Sequence, residues 1–219
     1  MNANDVTTTI SQAVTELKAL RPAYASLLDF YEKLCSAQEV SKKTLQLPPT
    51  KISDELLAVK RKEAFPLIDP SEFSVDTKAS VALLKELCRL AADSNEVLAQ
   101  NAEKIGHAIT TGSLDASTLF SKVLTGDDNY LKDLAHSLQV DKEVLAFAAY
   151  CSIRPSLSAH AEHLAAGYLD KDMKWETGYC PVCGSPPALS ILRGEGGERS
   201  MVCALCAYEW KTFRIHCPF

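Results

Sequence analysis

The sequence predicts a mainly α-helical protein that ends in a small rubredoxin-like or zinc-ribbon β module, and three observations carry that prediction. Apolar residues recur at helical spacing through the first 170 residues. No alternating strand pattern competes with them before residue 175. The last forty residues hold five of the eight cysteines, four of them as two Cys-x-x-Cys pairs. At 219 residues, 47% hydrophobic and 23% charged, the chain has the composition of a folded protein, with room for a medium domain and an appended module.

The elements follow in order. Val6, Ile10, Val14, Leu17 and Leu20 lie on one helical face, with Asn4 or Asp5 placed to cap the first turn, so a helix is expected over 5–20. Pro22 suits the first turn of a second helix, which runs through Tyr24, Leu27, Leu28, Phe30, Tyr31, Leu34 and Val40 until Pro48-Pro49 stops it. A short helical stretch over 53–62 precedes Phe65-Pro66-Leu67-Ile68-Asp69-Pro70, whose two prolines predict an extended linker docked across the helical surface. Helical periodicity resumes over 78–92 and 95–110, with shorter helices expected at 115–124, 128–138, 141–152 and 155–167. Asp127-Asp128 is placed as a helix cap. There is no repeat at a fixed period, so one bundle is expected in place of a solenoid. Residues 168–178 have few helix formers and read as a connection, which divides the chain into a helical domain over 1–170 and a metal-binding module over 171–219.

Within that module Cys180-Pro181-Val182-Cys183-Gly184 and Cys203-Ala204-Leu205-Cys206 form two C-x2-C pairs separated by nineteen residues. Two thiolates two residues apart grip one ion through a tight turn, and Gly184 permits the positive φ that follows such a turn. Two turns complete a tetrahedron of Cys180, Cys183, Cys203 and Cys206. Residues 188–192 and 200–202, joined by Gly194-Glu195-Gly196-Gly197, are expected as short strands, with a third over 208–213. A module of about forty residues buries too little apolar surface to fold well unaided, so the metal is expected to stabilise it. Four thiolates leave no open position, which argues against Lewis-acid catalysis, and a tetrahedral sulfur set suits iron and zinc alike. Cys217-Pro218-Phe219 opens another Cys-Pro-x-Cys pattern. Cys217 is therefore a further ligand candidate, and a second module with a second ion, cut short after Phe219, is expected.

Composition also excludes partners. The first 170 residues carry 17 Lys and Arg against 23 Asp and Glu, and no basic stripe of the kind phosphate recognition needs is visible. No apolar run reaches the roughly 18 residues of a membrane span. The N-terminus has neither the basic start nor the apolar stretch of a targeting signal, so a cytoplasmic protein is expected. The glycine cluster at 194–197 lacks the Lys-Ser or Lys-Thr of a phosphate loop, and no nucleophile constellation or other catalytic centre is recognisable. Cys35, Cys88 and Cys151, set among apolar residues, are expected in the core. His160 and His163, three apart on one helix, are expected as partly exposed residues with no metal between them; His216, beside Cys217, is expected in a turn.

The motifs Cys180-Pro181-Val182-Cys183-Gly184-Ser185-Pro186-Pro187, Gly197-Glu198-Arg199, Cys203-Ala204-Leu205-Cys206, Glu209-Trp210 and Arg214-Ile215-His216-Cys217-Pro218 together resemble the formate dehydrogenase accessory protein family, FdhE. Arg21-Pro22-Ala23-Tyr24 and Phe65-Pro66-Leu67 extend the resemblance, less specifically, into the helical half. The resemblance implies a helical domain followed by two rubredoxin-like modules, of which this sequence keeps the first intact, with iron as an implicated ligand. It implies a cytoplasmic assembly factor, not an enzyme, acting on the catalytic subunit of molybdenum- or tungsten-dependent formate dehydrogenases. Arg199, Glu209, Trp210 and Arg214 flank the cysteine pairs and are the candidates for client contact, with salt bridging or core packing as their other roles. The alternative function is a rubredoxin-like electron-transfer protein whose helical domain selects partners. Neither reading specifies an oligomeric state.

Overall fold

A computed structural model describes residues 3–92, 95–170, 173–215 and 217. Among them the chain forms eight α-helices and one three-stranded sheet. The helices are α1 (Ala3–Leu20), α2 (Ala25–Lys42), α3 (Asp54–Lys62), α4 (Thr77–Ala92), α5 (Glu96–Thr111), α6 (Ala116–Thr125), α7 (Asp128–Leu138) and α8 (Lys142–Tyr168). The strands are β1 (Pro187–Arg193), β2 (Glu198–Cys203) and β3 (Glu209–Thr212). The mainly helical class with a small C-terminal β module is thus as the sequence predicts. None of the described helices is long and apolar enough to cross a membrane.

The chain divides into two units that do not follow a single cut near 170: residues 1–46 with 76–155, and residues 47–75 with 156–219. In the first, α2 packs between α1 and α4, and α4 packs on α5. Its core includes Leu34, Leu83, Leu87, Leu90 and Cys151, with Phe30 and Tyr150 against them. Cys35 and Cys88 are only half-buried, so of the three helical cysteines Cys151 alone is a fully buried core residue. Local signals set the helix ends. The side chains of Asn95, Asp115 and Asp127 accept N–H bonds from the first turns of α5, α6 and α7, and Gly112 closes α5 in the left-handed region.

One prediction fails instructively. Two helices are expected over 141–152 and 155–167, yet α8 runs through Pro155 without interruption. Proline lacks the N–H that would bond the carbonyl four residues earlier, here that of Cys151. The buried Gln38 supplies the missing donor: its Nε2 bonds the Cys151 carbonyl oxygen at 2.8 Å. Breaking the helix is then unnecessary, because the orphaned acceptor is satisfied from another element.

The second unit holds the 47–75 arm, the end of α8 and the sheet. The order β1-β2-β3 is antiparallel throughout, with Ile191 opposite Ser200 and Met201 opposite Trp210. His160 anchors the arm. Its Nδ1 accepts the Ser74 N–H at 3.0 Å, its Nε2 lies 2.7 Å from Thr50 Oγ1, and the Phe73 ring meets it edge to face at 5.6 Å. Since Nδ1 must offer a lone pair to a backbone N–H, the proton sits on Nε2 and is donated to Thr50. His160 is therefore not partly exposed, as helical position suggested, but 2% exposed; His163 is exposed. Tyr168 adds a second fastening, its hydroxyl accepting the Ile52 N–H at 3.0 Å.

Candidate metal centre

Each cysteine pair sits in a tight turn whose backbone closes on itself. In the first, the Gly184 N–H bonds the Cys180 carbonyl at 2.8 Å and the Cys180 N–H bonds the Ser185 carbonyl at 2.9 Å. Gly184 has φ +72°, the left-handed value its lack of a Cβ allows. The second turn follows directly from β2, which ends at Cys203. The Cys203 N–H bonds the Tyr208 carbonyl at 2.9 Å, and the Ala204 N–H reaches the Pro186 carbonyl at 3.0 Å, tying this turn to the residues before β1. Where the first turn has Gly184, the second has Ala207 at φ +59°, so a side chain is carried in a conformation that costs an L-residue about 1 kcal/mol.

The four sulfurs converge. Cys180 and Cys206 are 3.8 Å apart, Cys183 and Cys203 3.6 Å, and Cys183 and Cys206 3.7 Å. All four lie within 4.8 Å of one another. These distances are far above the roughly 2.05 Å of a disulfide. They match the edge of about 3.8 Å expected for a sulfur tetrahedron around an ion at about 2.3 Å. Cys180 and Cys206 are 0% exposed, Cys183 1% and Cys203 3%. The N–H groups of Leu205 and Cys206 both donate to Cys203 Sγ at 3.4 Å, an arrangement that favours a thiolate there.

Burial pushes the Cys180 thiol up, and hydrogen bonding with Cys180 pushes Cys206 up as well, whereas the same neighbour draws Cys183 and Cys203 down. Four sulfurs in one dry pocket cannot all be anionic without a compensating charge. A divalent or trivalent cation would supply it, and donor type, distance and electrostatics fit a single tetrahedral ion. Cys217 is exposed and lies outside this group, so the described structure does not assign it a ligand role; His216 falls outside the described residues.

The other candidates surround the sheet. Trp210 is buried, and its indole N–H meets no acceptor among the described residues. Arg193 bonds the Glu209 carboxylate through two nitrogens, at 2.9 and 3.1 Å. Arg199 donates to Ser190 Oγ at 3.0 Å, and Arg214 donates to the Gly196 carbonyl at 3.0 Å while its guanidinium covers Gly197. The Arg193 and Arg199 contacts tie strands together, and none of these five side chains joins the sulfur cluster.

Sequence reading missed the layer outside the first turn. The Pro66 ring lies where a Cβ on Gly184 would come within 3.2 Å of it, and the N–H groups of Leu67 and Ile68 bond the carbonyls of Pro181 and Val182 at 3.0 and 2.9 Å. The proline-flanked linker thus lies on the Cys180–Cys183 turn. Its prolines announce an extended segment, but nothing in its composition names the surface it meets.

Three comparisons with known proteins find similarity to FdhE proteins. Residues 179–214 match the family model described as FdhE, central domain. The curated FdhE homolog of Stutzerimonas stutzeri is 46% identical over 41 residues, which cover 17% of this chain and 13% of that protein; the Pseudomonas aeruginosa homolog is 49% identical over 41 residues with the same coverage. The Aquifex aeolicus homolog aligns more widely, 27% identical over 81 residues, or 36% of this chain and 27% of that protein. The matched part of this chain therefore spans a minor share of these relatives. The crystal structure of the FdhE protein from Pseudomonas aeruginosa superposes with a TM-score of 0.63 at 20% identity, over 98% of this chain and 69% of that one, and so shares the fold.

Proposed function

We propose, from the match of residues 179–214 to the FdhE central domain, that this chain is a member of the FdhE family and a cytoplasmic assembly factor. Its client is the catalytic subunit of a molybdenum- or tungsten-dependent formate dehydrogenase. The observation that carries the reading is the closed four-cysteine cluster inside the segment that matches the FdhE central domain. A site with four buried sulfur ligands has no position for substrate or water, which suits shaping a protein surface better than turning over a substrate. Cys180, Cys183, Cys203 and Cys206 would hold one iron or zinc ion. When bound, that ion supplies a fixed crosslink between the two turns and, as iron, a one-electron couple.

The flanking polar residues then have a direct use. Arg199 and Glu209 are set on opposite faces of a sheet whose geometry the ion would hold, Arg214 follows β3, and these three side chains are assigned as client contacts. Anaerobic co-purification tests it, comparing the original chain with Cys180→Ser/Cys183→Ser. The catalytic subunit should be retained by the original chain and lost, or weakened by about tenfold, by the variant. No retention by the original chain sinks the assembly role.

A second reading follows from the same four sulfurs, since iron in such a set cycles between ferrous and ferric states. The protein would then be a rubredoxin-like carrier. Visible absorption from thiolate-to-iron charge transfer in the oxidised protein favours it, and a colourless, zinc-loaded protein eliminates it.

A further inference from the structure

The metal-binding turn is gripped by a strap from far earlier in the chain. Pro181 and Val182 are the two residues between Cys180 and Cys183, and both of their carbonyls accept strap amides, those of Leu67 and Ile68. A trans peptide points its C=O and N–H in opposite directions. Gripping these two carbonyls therefore fixes the directions of the Val182 and Cys183 N–H groups within the turn. Leu67 and Ile68 are buried, so these bonds are shielded from water.

The strap is itself fastened on both sides. Ala64, held in the left-handed region at φ +53°, turns the chain out of α3, and its carbonyl accepts the Tyr179 hydroxyl at 2.8 Å. Lys60 Nζ donates to the Pro66 carbonyl at 2.9 Å. Beyond the strap, Ser74 and Thr50 hold the arm to His160. Where the strap meets the turn, Phe65, Pro66, Ile68, Cys183 and Gly184 line one groove. Of the four cysteines, Cys183 is the one that borders it.

We infer that the 64–68 strap is a working part of the metal site: it holds the first turn in its ligating shape and guards Cys183, and metal binding in turn holds the strap down. The inference rests on the reading of the four cysteines as a single-ion site. The two halves are thermodynamically linked, so whatever the ion contributes to strap closure, the strap contributes to ion retention. A metal-dependent strap also makes the state of the site readable elsewhere in the unit, because its release uncovers Leu67 and Ile68.

The test uses the full-length protein loaded with zinc, its zinc content counted, and a chromophoric chelator as competitor. Amide exchange at Leu67 and Ile68 should rise by about tenfold or more when zinc is stripped. Leu67→Ala/Ile68→Ala should release zinc about tenfold faster than the original chain, as loss of supporting contacts around a metal site does. Tyr179→Phe, which removes one fastening and no apolar contact, should shift release in the same direction by a smaller factor, and it decides alone if the double variant does not fold. Unchanged exchange at Leu67 and Ile68 on stripping, or release at the original rate from the folded variants, overturns the strap. An original chain that takes up no zinc or iron overturns the single-ion reading, and the strap with it.

Discussion

At the scale of single residues, His160 shows how one side chain can organise an arm of irregular backbone. Burial, and then the charge of nearby His163, hold its imidazole below the ordinary value of 6.5. The neutral ring is also the form its bonds require, since Nδ1 accepts the Ser74 N–H. An unfolded chain binds the proton more readily than the folded one. The contribution of His160 is therefore fully present above about pH 6.5 and is lost as pH falls through the folded value. Thermal melts of the 47–75 and 156–219 unit should weaken with acid in that window. His160→Leu should remove this part of the pH dependence and cost about 1–3 kcal/mol at neutral pH by orphaning the Ser74 N–H. A variant that melts like the original chain at pH 7.5 would show that the arm is held by something else. None of this was legible at residue 160 itself. Helical spacing set the histidine on a helix, and only Ser74 and Thr50, far away in sequence, explain why it is buried.

At the scale of elements, α8 is continuous because α2 repairs it. Gln38 and Cys151 are separated by 113 positions, so the local rule that proline ends a helix had no access to the compensating bond. A double-mutant cycle measures that repair. Gln38→Met should destabilise the original chain by about 1–3 kcal/mol, the cost of a buried carbonyl left without a donor. In a Pro155→Ala background the residue-155 N–H can bond the Cys151 carbonyl, and the same substitution should cost markedly less. Equal costs in both backgrounds would mean that Gln38 contributes packing only. The caps of α5, α6 and α7 lie at the other extreme, since Asn95, Asp115 and Asp127 act within three residues of themselves. That locality is why most helices could be read directly from sequence.

At the scale of the whole molecule, the division into 1–46 with 76–155 and 47–75 with 156–219 bears on how metal affects stability. The first unit has its own apolar core around Leu34, Leu83, Leu87 and Leu90. In the second, a short sheet adjoins a cluster of four buried sulfurs. Chelation should therefore expose the amides of β2 and β3 to rapid exchange while those of α4 and α5 stay protected, as hydrogen exchange resolved by segment would show. Uniform loss of protection throughout would show that the metal supports one cooperative structure. The cysteine spacing made the four-sulfur cluster legible because each pair closes a local turn. The outer layer was not legible, because its bonds use N–H and C=O groups that nearly every residue carries. Ala64 and Ala207 were hidden for a related reason: glycine advertises a left-handed turn and alanine does not.

The Tyr179 hydroxyl that fastens the strap belongs to a residue 115 positions after the Ala64 whose carbonyl it binds. At a synthesis rate of roughly 5–20 residues per second, that separation is a wait of about 6–23 seconds before this fastening can form. During that interval Leu67 and Ile68, buried in the finished protein, have no Cys180–Cys183 turn to cover them. The strap is therefore among the earlier segments to be made and among the last to be seated, and the newborn chain passes through a period in which its four-cysteine cluster and its exposed apolar arm await the same event.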